Sequence, residues 1–328
     1  MRRRAMLRML ESVNPAAMDR ELLAVRVAEL YYEEDKTQDE IGSLLHLSRW
    51  KVGRLLAQAR TEGIVRIEVV HPQARRLGLE RELCERFGLR DAVVVPATGS
   101  AEEDLKRVAQ AAADHLRALR PAPRTLAVSW GRTLTAVASL LPDGWARGVT
   151  VVQMNGGVSV NRRPGGAASL ATTMAKRAAG HAMLLPSPAI LDRLETKQAI
   201  EADRTVAGVL EQAASADAYL FTAGICDRDS AHVVNGYLSP EQLEQLASRG
   251  AVGDVLGRYV DADGNIVDPE LDARTVGLGF DQLREAENSI YVTAGRTKHD
   301  VARTVVRAGL CTTMVTDEDT ARALLEEM

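Results

Sequence analysis

Leu23, Val27, Leu30 and Tyr31 recur at helical spacing and predict an amphipathic helix over about 19–34. Thr37 opens a second, with Glu40 three residues on in the capping-box arrangement and Ile41, Leu44 and Leu45 as its apolar stripe. His46-Leu47 forms a tight break. Ser48 then caps a third helix whose inward face is Val52, Leu55, Leu56 and Ala59 and which Gly63 stops. Two short helices joined by a three-residue turn are the helix-turn-helix pattern. Ile64 to Val70 alternates apolar and charged residues as an exposed strand does, and would supply the wing of a winged helix.

From Gln73 onward the period changes. A connecting helix over Ala74–Arg86 leads into short apolar runs at Ala92–Val95, Thr125–Val128, Val149–Gln153, Ala182–Leu185, Ala218–Thr222, Ile290–Thr293 and Thr313–Thr316. Helical stretches separate most of them, among them Glu102–Leu119, Ala167–Ala179, Gln198–Ala214 and Asp300–Ala308. Strand–helix alternation predicts a parallel sheet covered on both faces. Arg258–Asp268 instead reads as a hairpin around Asp-Ala-Asp-Gly. The chain is therefore α/β, with a winged helix-turn-helix over 1–72 and a Rossmann-like domain over 73–328.

Composition narrows the class. The 328 residues are 46% hydrophobic and 26% charged, which excludes a disordered or collagen-like chain. Aromatics are only 4%, so the core must rest on Ala, Val and Leu. No apolar run reaches the roughly 18 residues of a membrane span. Arg8 interrupts the first apolar stretch before a signal-peptide core can form, and Cys84, Cys226 and Cys311 suggest neither a disulfide framework nor a metal cluster. A cytoplasmic protein with no cofactor and no membrane partner is expected.

Charge position matters more than charge balance. Formal net charge is −4, yet residues 1–72 hold 12 Lys/Arg against 11 Asp/Glu. Between Ser48 and Arg66 stand Arg49, Lys51, Arg54, Arg60 and Arg66 against Glu62 alone. Projection at 100° per residue puts Trp50 and Arg54 opposite the apolar stripe, with Lys51 on one flank. Arg54 and Lys51 are candidates for base edges or phosphates in a major groove, Trp50 for apolar contact beside them. Gln38 and Ser48 sit at helix N-termini that favour phosphate, Arg66 could reach the backbone from the wing, and Arg49 completes the DNA-facing set. A three-helix packing module, with Trp50 covering a neighbouring subunit, is the alternative.

Parallel sheets bind ligands beyond the C-terminal ends of their strands. Ser129-Trp-Gly-Arg-Thr133 follows a strand and opens a helix, so its N–H groups and hydroxyls could cradle a phosphate. Gln153-Met-Asn-Gly-Gly157 offers amides and close backbone approach. Thr222–Asp227 and Thr293–Lys298 combine strand end, Gly and polar groups, and Lys298 could be a cation for a phosphate. An isomerase-like sugar-phosphate enzyme with an appended DNA-binding module is the other reading. It would need a general base; Asp227 and Asp254 are available, but neither lies beside a His in sequence. The six histidines are dispersed and read as structural or surface residues.

Tyr31-Tyr32, Thr37-Gln-Asp-Glu-Ile41, Leu47-Ser-Arg49, Val52-Gly-Arg-Leu-Leu56 and Ala59-Arg-Thr-Glu-Gly-Ile-Val65 together resemble the DNA-binding domain of the SorC family of bacterial sugar-responsive transcriptional regulators. One departure is His46, where that turn usually carries Gly. The resemblance continues through Val128–Leu134, Val152–Gly157, Gly224–Asp227, Val252-Gly-Asp254, Tyr259, Gly264 and Ala294–Lys298, which are similar to the family's effector-binding domain. That resemblance implies a sheet like those of sugar-phosphate isomerases and CoA transferases, and a phosphorylated sugar or polyol that changes affinity for double-stranded operator DNA. It places Ser129, Gly131, Arg132, Thr133 and Lys298 on the phosphate, and Asn155, Gly156, Gly157 and Asp254 on the sugar. It also implies a homo-oligomer, dimer or tetramer. Some members carry Lys at position 155 and others Glu at 254; Asn155 has no amine, so no imine can form there.

Overall fold

The computed structural model describes residues 20–65, 75–157, 167–228 and 230–326. The chain divides into two compact units, 1–70 and 71–328. Arg66 and the remainder of the expected wing strand lie outside the described residues.

The first unit is built from helices α1 (Arg20–Tyr32), α2 (Gln38–Leu45) and α3 (Arg49–Thr61). Thr37 and Glu40 close the capping box in both directions, at 3.3 and 2.8 Å, and the hydrogen bonds that the Glu40 carboxyl accepts from Thr37 N and Oγ1 hold it below its ordinary value. Lys51 N donates to Ser48 Oγ at 3.2 Å, which starts α3. Leu23, Val27, Leu30, Ile41, Val52, Leu55, Leu56 and Ala59 form one buried cluster. Leu44 departs from the expected stripe and is 56% exposed. Ile41, Gly42 and Leu45 span one arc of the short helix, and Leu44 falls about 60° to its other side.

His46 ends α2 with φ 52° and ψ 42°, the left-handed region. A side chain there costs about 1–2 kcal/mol, partly offset because Gly loses more freedom on folding. His46→Gly is therefore expected to stabilise this unit by up to about 1 kcal/mol. Slower hydrogen exchange of α2 and α3 amides would show it; unchanged exchange would mean the His46 side chain compensates. Gly42 faces the same turn, where a Cβ would stand 2.7 Å from the Leu47 carbonyl.

Among its described residues the second unit carries ten strands: β1 (Asp91–Val95), β2 (Thr125–Val128), β3 (Thr150–Gln153), β4 (His181–Met183), β5 (Ala218–Phe221), β6 (Ala223–Ile225), β7 (Gly253–Val255), β8 (Arg258–Val260), β9 (Ser289–Val292) and β10 (Thr313–Asp317). Seven form a wholly parallel sheet in the order β1-β10-β9-β5-β2-β3-β4. All seven coincide with the apolar runs. The helices are α4 (Leu77–Phe87), α5 (Ala101–Ala118), α6 (Arg132–Leu140), α7 (Ala167–Arg177), α8 (Leu194–Glu201) and α9 (Arg204–Ala214), then α10 (Ala231–Val234), α11 (Pro240–Ser248), α12 (Pro269–Ala273), α13 (Asp281–Glu285), α14 (His299–Arg307) and α15 (Glu318–Glu326).

Alternate strand residues separate into two cores, as a sheet buried on both faces requires. Val93, Leu126, Val151, Leu220, Ile290 and Val315 pack under α5, α6 and α7. Ala92, Ala127, Val152, Tyr219, Tyr291 and Met314 pack under α4, α9, α14 and α15.

Two expectations change. The single helix over Gln198–Ala214 is two, because Asp203 takes extended backbone and its Oδ1 accepts from Thr205 N at 2.8 Å, restarting the helix as α9. The hairpin at 258–268 is reduced to one bridge, Val260 to Ile266. Asp261 Oδ1 accepts from Asp263 N and Asn265 N at 2.9 Å, curling the loop on itself, and β8 pairs chiefly with β7 in a small antiparallel sheet with β6.

Candidate functional site

Parallel strands deliver their C-terminal ends to one edge of the sheet, and β9, β5 and β2 are consecutive there. The loops after them therefore meet although they are far apart in sequence. Lys298 Nζ donates to Thr133 Oγ1 at 3.4 Å and to Thr222 Oγ1 at 3.3 Å. Burial pushes the Lys298 amine down to about 8, with Asp254 pulling it up and Arg132 pushing it further down. Ser129 is buried, and its Oγ accepts from Thr222 N at 3.4 Å. Gly131 caps α6 at φ 135°, a conformation L side chains rarely adopt, and a Cβ there would stand 3.3 Å from the Thr222 methyl. No side chain caps α6, so the N–H groups of its first turn point from the strand end beside the exposed Arg132.

Asp254, on β7, brings a buried carboxylate to the same place. Its Oδ2 accepts from Gly257 N at 3.0 Å. Gly224 is its partner across the small sheet, and a Cβ on Gly224 would stand 2.0 Å from Asp254 Oδ1. Only Gly fits there. Asn155 is buried and its Oδ1 has no hydrogen-bond partner among the described residues. The backbone of Asn155 makes an isolated antiparallel bridge with Gly277, where a Cβ would stand 2.6 Å from the Asn155 Cα, so Gly277 serves close backbone packing. Gly156 N and Gly157 N donate to the Val276 and Ser187 carbonyls at 3.0 and 2.9 Å, so these glycines contribute close approach rather than spare donors. A Cβ on Gly156 would lie 2.1 Å from the Pro188 carbonyl oxygen.

Two neighbours join the expected residues. Thr222, whose strand-end loop the sequence singles out without giving it a role, shares Lys298 with Thr133. His232 gave no signal in the sequence. It is buried, with Nδ1 3.0 Å from Tyr259 Oη and 3.7 Å from Asp254 Oδ1, so the fold makes the Asp–His pair that sequence proximity did not suggest. Its ring meets Trp130 edge-on at 5.6 Å, and Trp130 Nε1 donates to the Gly156 carbonyl at 2.8 Å. His232 Nε2 has no partner among the described residues. Burial, with the charges of Asp254 and Asp227, raises the nearby Cys226 thiol to about 11, so it stays protonated at neutral pH. A further cavity of about 1380 Å³ opens at the opposite, N-terminal ends of the strands, where its charged lining is mixed in sign and has none of these residues.

In the first unit, Trp50 is 72% exposed and the Arg54 guanidinium carbon lies over its ring, 4.9 Å from the centroid. Lys51 is exposed on the same helix. Arg49 is 3.5 Å from Asp39, and Ser48 Oγ serves as the α3 cap. Gln38 is half-buried, its Oε1 3.4 Å from where a Cβ on Gly53 would be.

Comparison with known proteins defines the class. The profile of the Sugar-bind family, described as "Putative sugar-binding domain", matches residues 71–326. The chain belongs to this SorC/DeoR-type family of sugar-binding transcriptional regulators. It is 32% identical to the deoxyribonucleoside regulator of Bacillus subtilis over 95% of this chain and 100% of that protein. It is 30% identical to the sorbitol operon regulator of Klebsiella pneumoniae over 93% and 98% of the two chains. The crystal structure of the full-length sorbitol operon regulator SorC from that organism superposes with a TM-score of 0.70, at 30% identity and 94% and 99% coverage. These relatives are transcriptional regulators, not enzymes. No helix among the described residues is long and apolar enough to cross a membrane.

Proposed function

We propose that this regulator binds double-stranded operator DNA through residues 1–72, and that a phosphorylated sugar or polyol bound by residues 73–328 sets its DNA affinity. The observation that carries the ligand class is the Lys298 ammonium resting on Thr133 and Thr222 at the ends of β2, β5 and β9. A dianionic phosphate supplies charged acceptor oxygens to the uncapped helix N–H groups and to an ammonium whose two neighbours, Thr133 and Thr222, are neutral hydroxyls. Asp254 and Asn155 stand where hydroxyls of the attached sugar would donate and accept. The DNA contacts are Lys51, Trp50 and Arg54 on the outer face of α3, with Gln38, Ser48 and Arg49 near the phosphates and Arg66 following α3. Oligomerisation through the second unit, as a dimer or tetramer, would pair two reading helices on adjacent half-sites.

The test is a thermal-shift panel of 2-deoxyribose 5-phosphate, sorbitol 6-phosphate and erythritol 4-phosphate beside their unphosphorylated forms. At a hundredfold excess over Kd the true ligand stabilises by about 2.7 kcal/mol, roughly 5–10 °C for a domain of this size. Stabilisation confined to phosphorylated compounds supports the reading. Equal shifts from the free polyols would remove the phosphate from it.

A further inference from the structure

Trp50 and Arg54 lie four residues apart on one face of α3, and each is exposed. A Trp so exposed is unusual in a folded surface and indicates a partner. Its ring is already occupied by the Arg54 guanidinium, held over the face at 4.9 Å from the centroid. Arg54 makes no ion pair with a carboxylate among the described residues, whereas Arg49 on the same helix is drawn to Asp39 at 3.5 Å. Arg54 is thus an oriented fork of donors with its acceptors still to come, and stacking has removed part of the rotamer freedom that binding would otherwise cost.

The geometry points to a reading unit for one base step: Arg54 takes the O6 and N7 of a guanine, and Trp50 packs on the 5-methyl group of an adjacent thymine. This rests on the reading of α3 as the DNA-facing helix and adds what it recognises. A guanidinium bonded twice to a guanine edge lies in the plane of that base. A ring whose centroid is 4.9 Å from that guanidinium carbon then lies within reach of the neighbouring pair, because bases stack about 3.4 Å apart. Of the groups a pair shows in the major groove, the thymine methyl is the apolar one. An adjacent adenine or guanine presents N7 and an exocyclic polar group there, and cytosine its N4 amine and a bare C5–H, so none offers the indole a methyl group.

The full chain is tested on a randomised duplex library, followed by binding to the selected site with single-atom changes. Selected sites are expected to share a guanine next to a thymine. Replacing that guanine by 7-deazaguanine, which removes N7, should weaken wild-type binding about tenfold. Replacing the thymine by uracil, which removes only the methyl, should weaken it several-fold. Trp50→Ala should lose the thymine–uracil difference while keeping the guanine one. Arg54→Lys, which keeps the charge but not the fork, should lose the guanine difference. Both positions are exposed, and far-ultraviolet circular dichroism of each variant verifies that α3 persists. The proposal is overturned if uracil binds as well as thymine, or if Trp50→Ala keeps the discrimination. It is likewise overturned if that variant changes only the oligomeric state, which makes Trp50 a subunit contact. Failure of the chain to retain any duplex at low salt would instead overturn the DNA-binding reading itself, and this inference with it.

Discussion

Lys298→Ala is expected to abolish the thermal stabilisation given by the cognate phosphorylated ligand while leaving the unliganded melting temperature close to that of the wild type. The wild-type pH profile carries a second signature. The Lys298 amine sits near 8 because burial disfavours its charged form. A phosphate dianion binds the ammonium, so above pH 8 binding must first take up a proton. Affinity should therefore be highest below pH 8 and fall as pH rises through it, by about tenfold between pH 7 and 9 if only the charged form binds. Lys298→Arg, charged throughout that range, should flatten the profile; Lys298→Ala should be flat and weak. Titration calorimetry at four pH values decides the matter. A wild-type profile that stays level from pH 7 to 9 would mean that Lys298 does not meet the phosphate.

The second large effect comes from a glycine rather than a charged group. A methyl group on Gly224 would stand 2.0 Å from Asp254 Oδ1, so Gly224→Ala must displace the carboxylate and break its hydrogen bond from Gly257 N. Loss of one or two sugar hydroxyl contacts to a carboxylate amounts to about ten- to a hundredfold in affinity. The loss should fall on the sugar and spare the phosphate, so inorganic phosphate binds Gly224→Ala as it binds the wild type while the sugar phosphate does not. Asp254→Asn keeps the space and removes the charge, and should show the same division more mildly. If Gly224→Ala binds the sugar phosphate normally, Asp254 faces away from the ligand. If it loses inorganic phosphate as well, the small sheet supports the whole site and not the sugar half alone.

These expectations draw on different amounts of sequence information. Six strands of the parallel sheet were legible because each is a short apolar run buried on both faces, a signal independent of partners, whereas the edge strand β4 is exposed or half-buried and was marked by the apolar residues Ala182 to Leu185. The caps at Thr37 and Ser48 were legible for a similar reason, since capping is settled within four residues. β6 and β7 were not, because Ala-Gly-Ile and Gly-Asp-Val have neither the length nor the alternation of a strand and exist only by pairing with each other and β8. The break at Asp203 was masked by the helix formers Gln198 to Ala202 before it, and although Asp is a common N-cap residue, only the extended backbone and the bond from Thr205 N show that it restarts α9. At the site, strand-end loops pointed to Ser129, Thr133 and Lys298 because the end of a strand is local information. The meeting of His232 with Asp254 and Trp130 is tertiary. It depends on where α10 lies against β7 and the loop after β2, and no spacing along the chain encodes it.

The same distinction explains the charge. The whole-chain balance of −4 obscured α3, on which Lys51 and Arg54 are exposed. A local feature decided the partner.

The central claim is that one ligand event at the strand ends governs DNA affinity, and linkage makes it directly measurable. Fluorescence anisotropy of a labelled duplex selected by the chain would be followed while the stabilising sugar phosphate is titrated, for wild type and Lys298→Ala. The wild type is predicted to change its DNA affinity by five- to a hundredfold, about 1–3 kcal/mol of coupling, and Lys298→Ala to hold one affinity throughout. An unchanged wild-type affinity at saturating ligand, or an equal change in both proteins, would contradict the account.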